Sequence, residues 1–312
     1  MREFAITFER GLRKGLRAFK NPIPGQEELL ECYNLVPSEQ GLLPYEPIAE
    51  VDFSNVISEL PSHLDDIRAY WKLDEAAGGP YADSLGISPM VGLQDNATDD
   101  LRSVTGKIQN CARAIQTNAQ QGYGSEGAYS TDNSQFTLTD YTINMWFRYN
   151  PANSFSYWIL RKTETVPLAW SDPVLKEWGI WHRGTADGAR AIIFYRGDGG
   201  ANWTDSVICT FTNRANVWFM LTITYNSSSQ VLRVRLSNAT DGFAAFDVSS
   251  PGTFPVLVDT NQPIVLGNFY DLSEGSVNFD YDEIGIWGRV LTTNEVTALW
   301  NSGNGLSFPF LA

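Results

Sequence analysis

Short apolar runs recur from residue 67 to the end of this chain, and none of them is long enough to build a helical bundle. Ile67–Leu73, Gln135–Leu138, Thr142–Tyr149, Trp178–His182, Trp218–Tyr225, Val231–Leu236 and Phe279–Trp287 each carry β-branched or aromatic residues in strand-like alternation. Clusters of Gly, Asn, Asp and Ser separate them, which is the turn chemistry of an antiparallel protein. The pattern predicts an all-β fold of two sheets packed face to face. Its one helical signal comes last. After the strand Phe279–Trp287 and a basic turn at Arg289, Thr292 or Thr293 can cap a helix with Glu295 in its first turn. Val296, Leu299 and Trp300 give that helix one apolar side, and Gly303 is placed to stop it.

The two ends of this region also carry ordered strings. The first is Trp71-Lys72-Leu73-Asp74-Glu75 before a Gly78-Gly79 turn, followed by Asp83-Ser84-Leu85-Gly86. The last is Asp282-Glu283-Ile284-Gly285-Ile286-Trp287-Gly288-Arg289-Val290-Leu291, then Thr292 to Glu295 and an apolar helix. Together they resemble LamG-like jelly-roll domains of the concanavalin A-like lectin/glucanase superfamily. The resemblance implies a two-sheet antiparallel jelly-roll sandwich over residues 66–312, with residues 1–65 forming an extended N-terminal arm and linker. A helical turn is expected after Pro61-Ser62. The family often has a His where this chain has Met220, so any role of that His is absent. The resemblance further implies one structural Ca²⁺, with Asp83 and Asp282 where ligands can sit. The competing reading of both residues is a carboxylate that bonds backbone N–H groups.

Charge divides the chain. Its net charge is −14, yet the first 20 residues hold six basic residues against two glutamates, a net of +4 that leaves the remainder at −18. An acidic body argues against nucleic-acid binding. In the arm, Phe4, Ile6 and Phe8 alternate as in a strand beside Arg10, Arg13, Lys14 and Arg17, a combination suited to anchoring on an acidic partner. Leu30 to Leu42 is similar to N-terminal leaders of some tailed-phage virion proteins. Cys32, Cys111 and Cys209 are odd in number and widely spaced, which favours buried thiols over a disulfide framework. No signal peptide and no membrane-spanning run are visible. The expectation is therefore a multicopy or homo-oligomeric virion component, capsid or tail, that displays its jelly roll for decoration or host-surface adhesion. The alternative is a carbohydrate-binding module at a bacterial cell surface.

Catalysis is not expected. Glucan-cleaving relatives need Glu-x-Asp-x-x-Glu on one strand face, and Asp280-Tyr281-Asp282-Glu283 has the wrong spacing, with Glu283 expected on the opposite face. Sugar binding needs exposed indoles beside polar groups. Residues 150–204 are rich in candidates: Trp158, Trp170, Trp178, Trp181, Tyr195 and Trp203. Trp178 and Trp181 lie in a strand pattern and are expected in the core. Trp170 and Trp203 lie among turn residues and are the expected glycan contacts.

Overall fold

The strand that closes the sequence is also the one around which the fold is built. The computed structural model describes residues 62–92, 101–115, 127–149, 157–163, 176–184, 190–200, 203–250, 254, 256–267 and 278–310. The chain divides into two units, Met1–Leu60 and Pro61–Ala312, and the second is the β unit. Its strands are β1 (Ile67–Trp71), β2 (Val91–Gly92), β3 (Arg102–Thr105), β4 (Asn110–Ile115), β5 (Gly127–Ser130), β6 (Tyr141–Tyr149), β7 (Tyr157–Thr163) and β8 (Lys176–Gly184). They continue with β9 (Arg190–Gly197), β10 (Trp203–Phe211), β11 (Phe219–Asn226), β12 (Val231–Asn238), β13 (Gly242–Ser249), β14 (Ile264–Gly267) and β15 (Asn278–Trp287). A single α-helix among the described residues, α1 (Thr293–Trp300), follows β15.

The strands form two antiparallel sheets, the expected jelly-roll sandwich. One sheet runs β13-β12-β11-β6-β15-β4-β3, and the other β10-β9-β8-β7-β14-β5-β2. β15 pairs with β6 along one edge. Its other edge is shared end to end, with Asn278–Tyr281 on β4 and Ile284–Trp287 on β1. The two sequence strings therefore meet, Trp71 lying opposite Ile284. Side chains from both inner faces make the main core, with Trp71, Phe147, Trp178, Phe194, Phe219 and Phe279 all at most 1% exposed. Cys111 and Cys209 are buried and free, and burial pushes the Cys209 thiol up to about 12.

A second core lies outside the first sheet. Tyr70, Trp146, Met220 and Trp287 point outward from that sheet and are covered by α1 and by Phe310. Met220, at the position where the family often carries His, pairs with Trp146 and packs in this layer. Thr292 caps the helix in a reciprocal capping box with Glu295. Arg289 clamps Glu295 through both carboxylate oxygens, at 2.6 and 3.0 Å. The helix ends at Asn301 in the left-handed conformation rather than at Gly303, which closes the single 3₁₀ turn that follows.

Four expectations change. Gln135–Leu138 is no strand: Ser134–Phe136 forms a 3₁₀ turn whose N-cap, Asn133, bonds Gln135 N and drops Phe136 into the core. β2 and β3 were invisible because one has two residues and the other buries none of its four. Glu283 does not point away from Asp282. A register shift between Asp282 and Gly285, with Glu283 at φ 51°, puts both carboxylates on the outer face. Gly285 is required beside this bulge, since a Cβ there would lie 2.4 Å from the Trp287 ring. The fourth change, at Trp181, concerns the other sheet's outer face. The helical turn after Pro61 is present as Ser62–Leu64, and the His63 carbonyl accepts from Trp287 Nε1 at 2.6 Å.

Candidate functional site: an aromatic platform on the second sheet

The alternation of β7, β8 and β9 sends one set of side chains inward and the other out of the sandwich. Inward go Leu160, Trp178, Ile180, Ile192 and Phe194, with Trp178 stacked on Phe194 at 6.3 Å. Outward, the cross-strand register lines up Trp158, Trp181, Ile193 and Ile208 in one row, and Arg161, Gly179, Tyr195 and Ser206 in the next. A register shift between Trp158 and Leu160 brings the first indole out beside Trp181. Trp181 was expected in the core; it is partly exposed, because it sits one step out of phase with Trp178 and Ile180.

These rings touch. Trp158 meets Trp181 edge to face, with centroids 4.6 Å apart, and lies 5.8 Å from Tyr195. All three remain partly exposed, and Ile208 is 45% exposed. Gly179 has no side chain to fill the row between Arg161 and Tyr195. The Arg161 guanidinium stands 5.5 Å from the Trp158 ring centre, a cation–π contact, and burial lowers its pKa to about 10. Arg183 is exposed two residues beyond Trp181 on the same face. The face thus presents partly exposed indole and phenol rings, with Arg183 exposed and Arg161 buried beside them.

Of the residues expected to contact glycan, Trp170 lies outside the described residues. Trp203 begins β10, and its side chain is likewise outside them. Phe4, Ile6, Phe8, Arg10, Arg13, Lys14 and Arg17 of the arm also lie outside them. Sequence reasoning named Trp158 and Tyr195 only as members of a rich segment. The signal that would have found the platform is parity: within a buried strand, residues of the opposite phase to the core tryptophan face out.

Asp83 and Asp282, the two residues expected to hold Ca²⁺, both accept backbone N–H groups. Both Asp83 oxygens accept backbone N–H groups, Oδ1 from Tyr70 and Leu85 at 2.9 and 3.1 Å, Oδ2 from Ile87 and Ser88 at 3.1 and 3.0 Å. Four inward-pointing donors make a site that repels a cation. Asp282 is fully buried, and its Oδ2 accepts from Lys107 N and Ile108 N at 2.6 and 3.0 Å. Burial pushes its carboxyl up to about 9, which makes it a neutral acid at pH 7. Among the described residues no group of three or more His, Cys, Asp or Glu side chains is set to hold a metal.

The three carboxylates of β15 are equally closed to substrate. Asp280 is 3% exposed and bound by Arg113 and Arg148 at 2.9 and 2.7 Å. Glu283 is 2% exposed, accepts from Tyr70 Oη at 2.5 Å, and is raised by burial to about 7.

A family model described as the concanavalin A-like lectin/glucanases superfamily matches residues 123–297, more than half of the chain. The chain belongs to this superfamily. Among solved structures, this superfamily member resembles the binding domain of botulinum neurotoxin DC in complex with SialylT, at 13% identity and a TM-score of 0.53. That match covers 76% of this chain and 51% of the toxin chain. It also resembles the binding domain of Paraclostridial Mosquitocidal Protein 1, at 17% identity and a TM-score of 0.52, over 77% of this chain and 52% of that one. A structure of botulinum neurotoxin type C, whose cell entry depends on interaction with two ganglioside molecules, matches at 13% identity and a TM-score of 0.53, over 76% of this chain and 51% of that one. The chain therefore spans about half the length of these structures, and the likeness is one of fold. No curated protein matches the sequence.

Proposed function

We propose that this superfamily member is a non-catalytic glycan-binding, adhesion-type domain that binds saccharide on the outer face of β7–β10. The observation that carries the reading is the Trp158–Trp181–Tyr195 cluster, three rings packed together on one outer face and all left partly exposed. Pyranose rings present a C–H face that packs on indole. No carboxylate points out from β7–β10 among the described side chains, so the face lacks the paired acids that hydrolysis needs. Glu177, the acid in β8, lies at a register shift and is held by Lys162 Nζ at 2.7 Å. The sialylated and ganglioside ligands named for the toxin domains support the same class of ligand. One ring on one indole gives about millimolar affinity, so useful adhesion requires several copies.

A glycan array probed with a multivalent form of the full chain tests this. Trp158→Ala and Trp181→Ala, each checked for folding by its thermal transition, are expected to lose the signal. Full retention of binding by both folded variants removes the platform from the reading.

A second reading, favoured by the +4 arm on a −18 body, makes the domain a displayed virion component anchored through residues 1–20. Deleting those residues is expected to abolish incorporation into particles; incorporation at full copy number defeats the anchoring role. The helices described include none long and apolar enough to cross a membrane.

A further inference from the structure

The platform's charge runs against that of the chain. The sequence carries a net −14, and yet the outward residues of β7–β10 include Arg161 and Arg183 and no Asp or Glu among the described side chains. The two carboxylates in these strands are turned elsewhere: Glu177 to Lys162, and Asp205 to Arg196 across β9 and β10. The arginines flank the rings from both sides. Arg161 approaches Trp158 from within its own strand, and Arg183 follows Trp181 by two residues, a step of about 7 Å along the same face. A sugar ring centred on the Trp181 indole therefore places a ring substituent within reach of the Arg183 side chain. A guanidinium offers a planar pair of N–H donors that matches a carboxylate bidentately.

We infer that the saccharide taken by this face is acidic, its ring stacked on Trp181 and its carboxylate bound by Arg183, with Arg161 contributing positive field from the neighbouring strand. This rests on the glycan reading of the same face and narrows it to carboxylate-bearing sugars. A neutral sugar can stack on the indoles but leaves Arg183 unused. A sulfated sugar also offers two oxygens to the guanidinium and is the class that the test separates from a carboxylate.

The experiment compares binding of the full chain to matched probes: 3′-sialyllactose against lactose, trigalacturonate against its carboxyl-reduced form, and 3′-sulfolactose. At least one carboxylated probe is expected to bind ten times or more tighter than its neutral partner, with the preference weakening as salt rises. Arg183→Gln is expected to collapse that preference, and Arg183→Lys to restore part of it. Equal binding of carboxylated and neutral probes, both lost in Trp181→Ala, overturns the acidic preference and keeps the platform. Tighter binding of 3′-sulfolactose than of 3′-sialyllactose overturns the carboxylate. Absence of binding to every probe overturns the inference and the platform together.

Discussion

The sandwich has two outer faces, each built around tryptophan, and the chain treats them in opposite ways. On the first sheet, Trp146 stacks on Trp300 of α1 with ring centres 5.3 Å apart and planes 13° apart. Beside them Trp287 and Tyr70 lie under Phe310, with Tyr70 also against Phe308. On the second sheet, Trp158 packs against both Trp181 and Tyr195, and all three stay partly exposed. A ring that is covered contributes burial, while a ring left open keeps its face for a ligand. Aromatic content alone therefore does not mark a binding site; the presence or absence of a covering element does.

The largest effect separating the faces is on stability. Trp287 is fully buried, and its Nε1 donates to His63 O at 2.6 Å. Trp287→Ala removes both the packing and that bond's donor, an expected cost of about 3–5 kcal/mol read from the urea midpoint. Trp181→Ala on the open face is expected to cost about 1 kcal/mol, mainly the Trp158 contact. Similar losses for the two variants would erase the distinction between a sealed and an open face.

Next in size is a pH response that belongs to the sealed face. Asp282 and Glu283 are held near 9 and 7 by burial, above their ordinary values of 3.8 and 4.5. Groups with raised folded-state values stabilise fully below their unfolded values, and the contribution is lost as pH rises through the folded ones. The window is about pH 4 to 9. His182 acts in the other direction: buried among Tyr149, Phe211 and Phe279, it is lowered to about 3, so its contribution holds above 6.5 and is lost as pH falls. Glu177 on the other sheet is also raised by burial to about 7 and acts in the same direction, so above pH 6.5 these acids act together and the melting temperature is expected to fall from pH 6.5 to 9. Asp282→Asn, which keeps the shape and removes the proton, is expected to flatten most of that slope. A slope unchanged in Asp282→Asn places its origin elsewhere.

The open face gives a smaller effect, seen in binding. Truncating one of two touching indoles is expected to weaken multivalent glycan binding by about tenfold or more, the loss typical of a ring at the centre of a contact. Binding should hold between pH 7 and 9 while the protein stays folded, because the indole faces that carry it do not titrate. Loss of binding over that range in step with melting would tie ligand recognition to the sealed face instead.

Much of the sealed face could be read in the sequence, and little of the open one. The string from Phe279 to Trp300 contains a strand, a capping box and an apolar helix side in consecutive residues, and each is a local signal. The bulge at Glu283 was missed because it depends on pairing with β6, whose partner residues lie more than a hundred positions away. Trp158 and Trp181 were indistinguishable by type from the core ring Trp178. The outward phase of Trp181 follows from its parity against Trp178, but the register of β7 on β8 that brings Trp158 beside it is not encoded in a short window. The charge of the platform was hidden for the same reason, since only strand pairing turns Glu177 to Lys162 and Asp205 to Arg196.

The smallest predicted effect tests whether α1 acts only as a cover. Thr292 Oγ1 accepts from Glu295 N at 3.3 Å, while Glu295 Oε2 accepts from Thr292 N at 2.7 Å. Thr292→Ala removes one half of this box and is expected to cost about 1 kcal/mol. The loss should stay modest because Arg289 still holds Glu295, and Val296 and Leu299 still bury the helix against Trp146 and Trp287. Glycan binding on the second sheet is expected to be unchanged in the folded variant, since α1 packs on the opposite side of the sandwich. A stability loss with intact binding sharpens the division of the two faces. Loss of binding in a variant that remains folded would show that the helix does more than seal the first sheet, and that the two faces are coupled through the core between them.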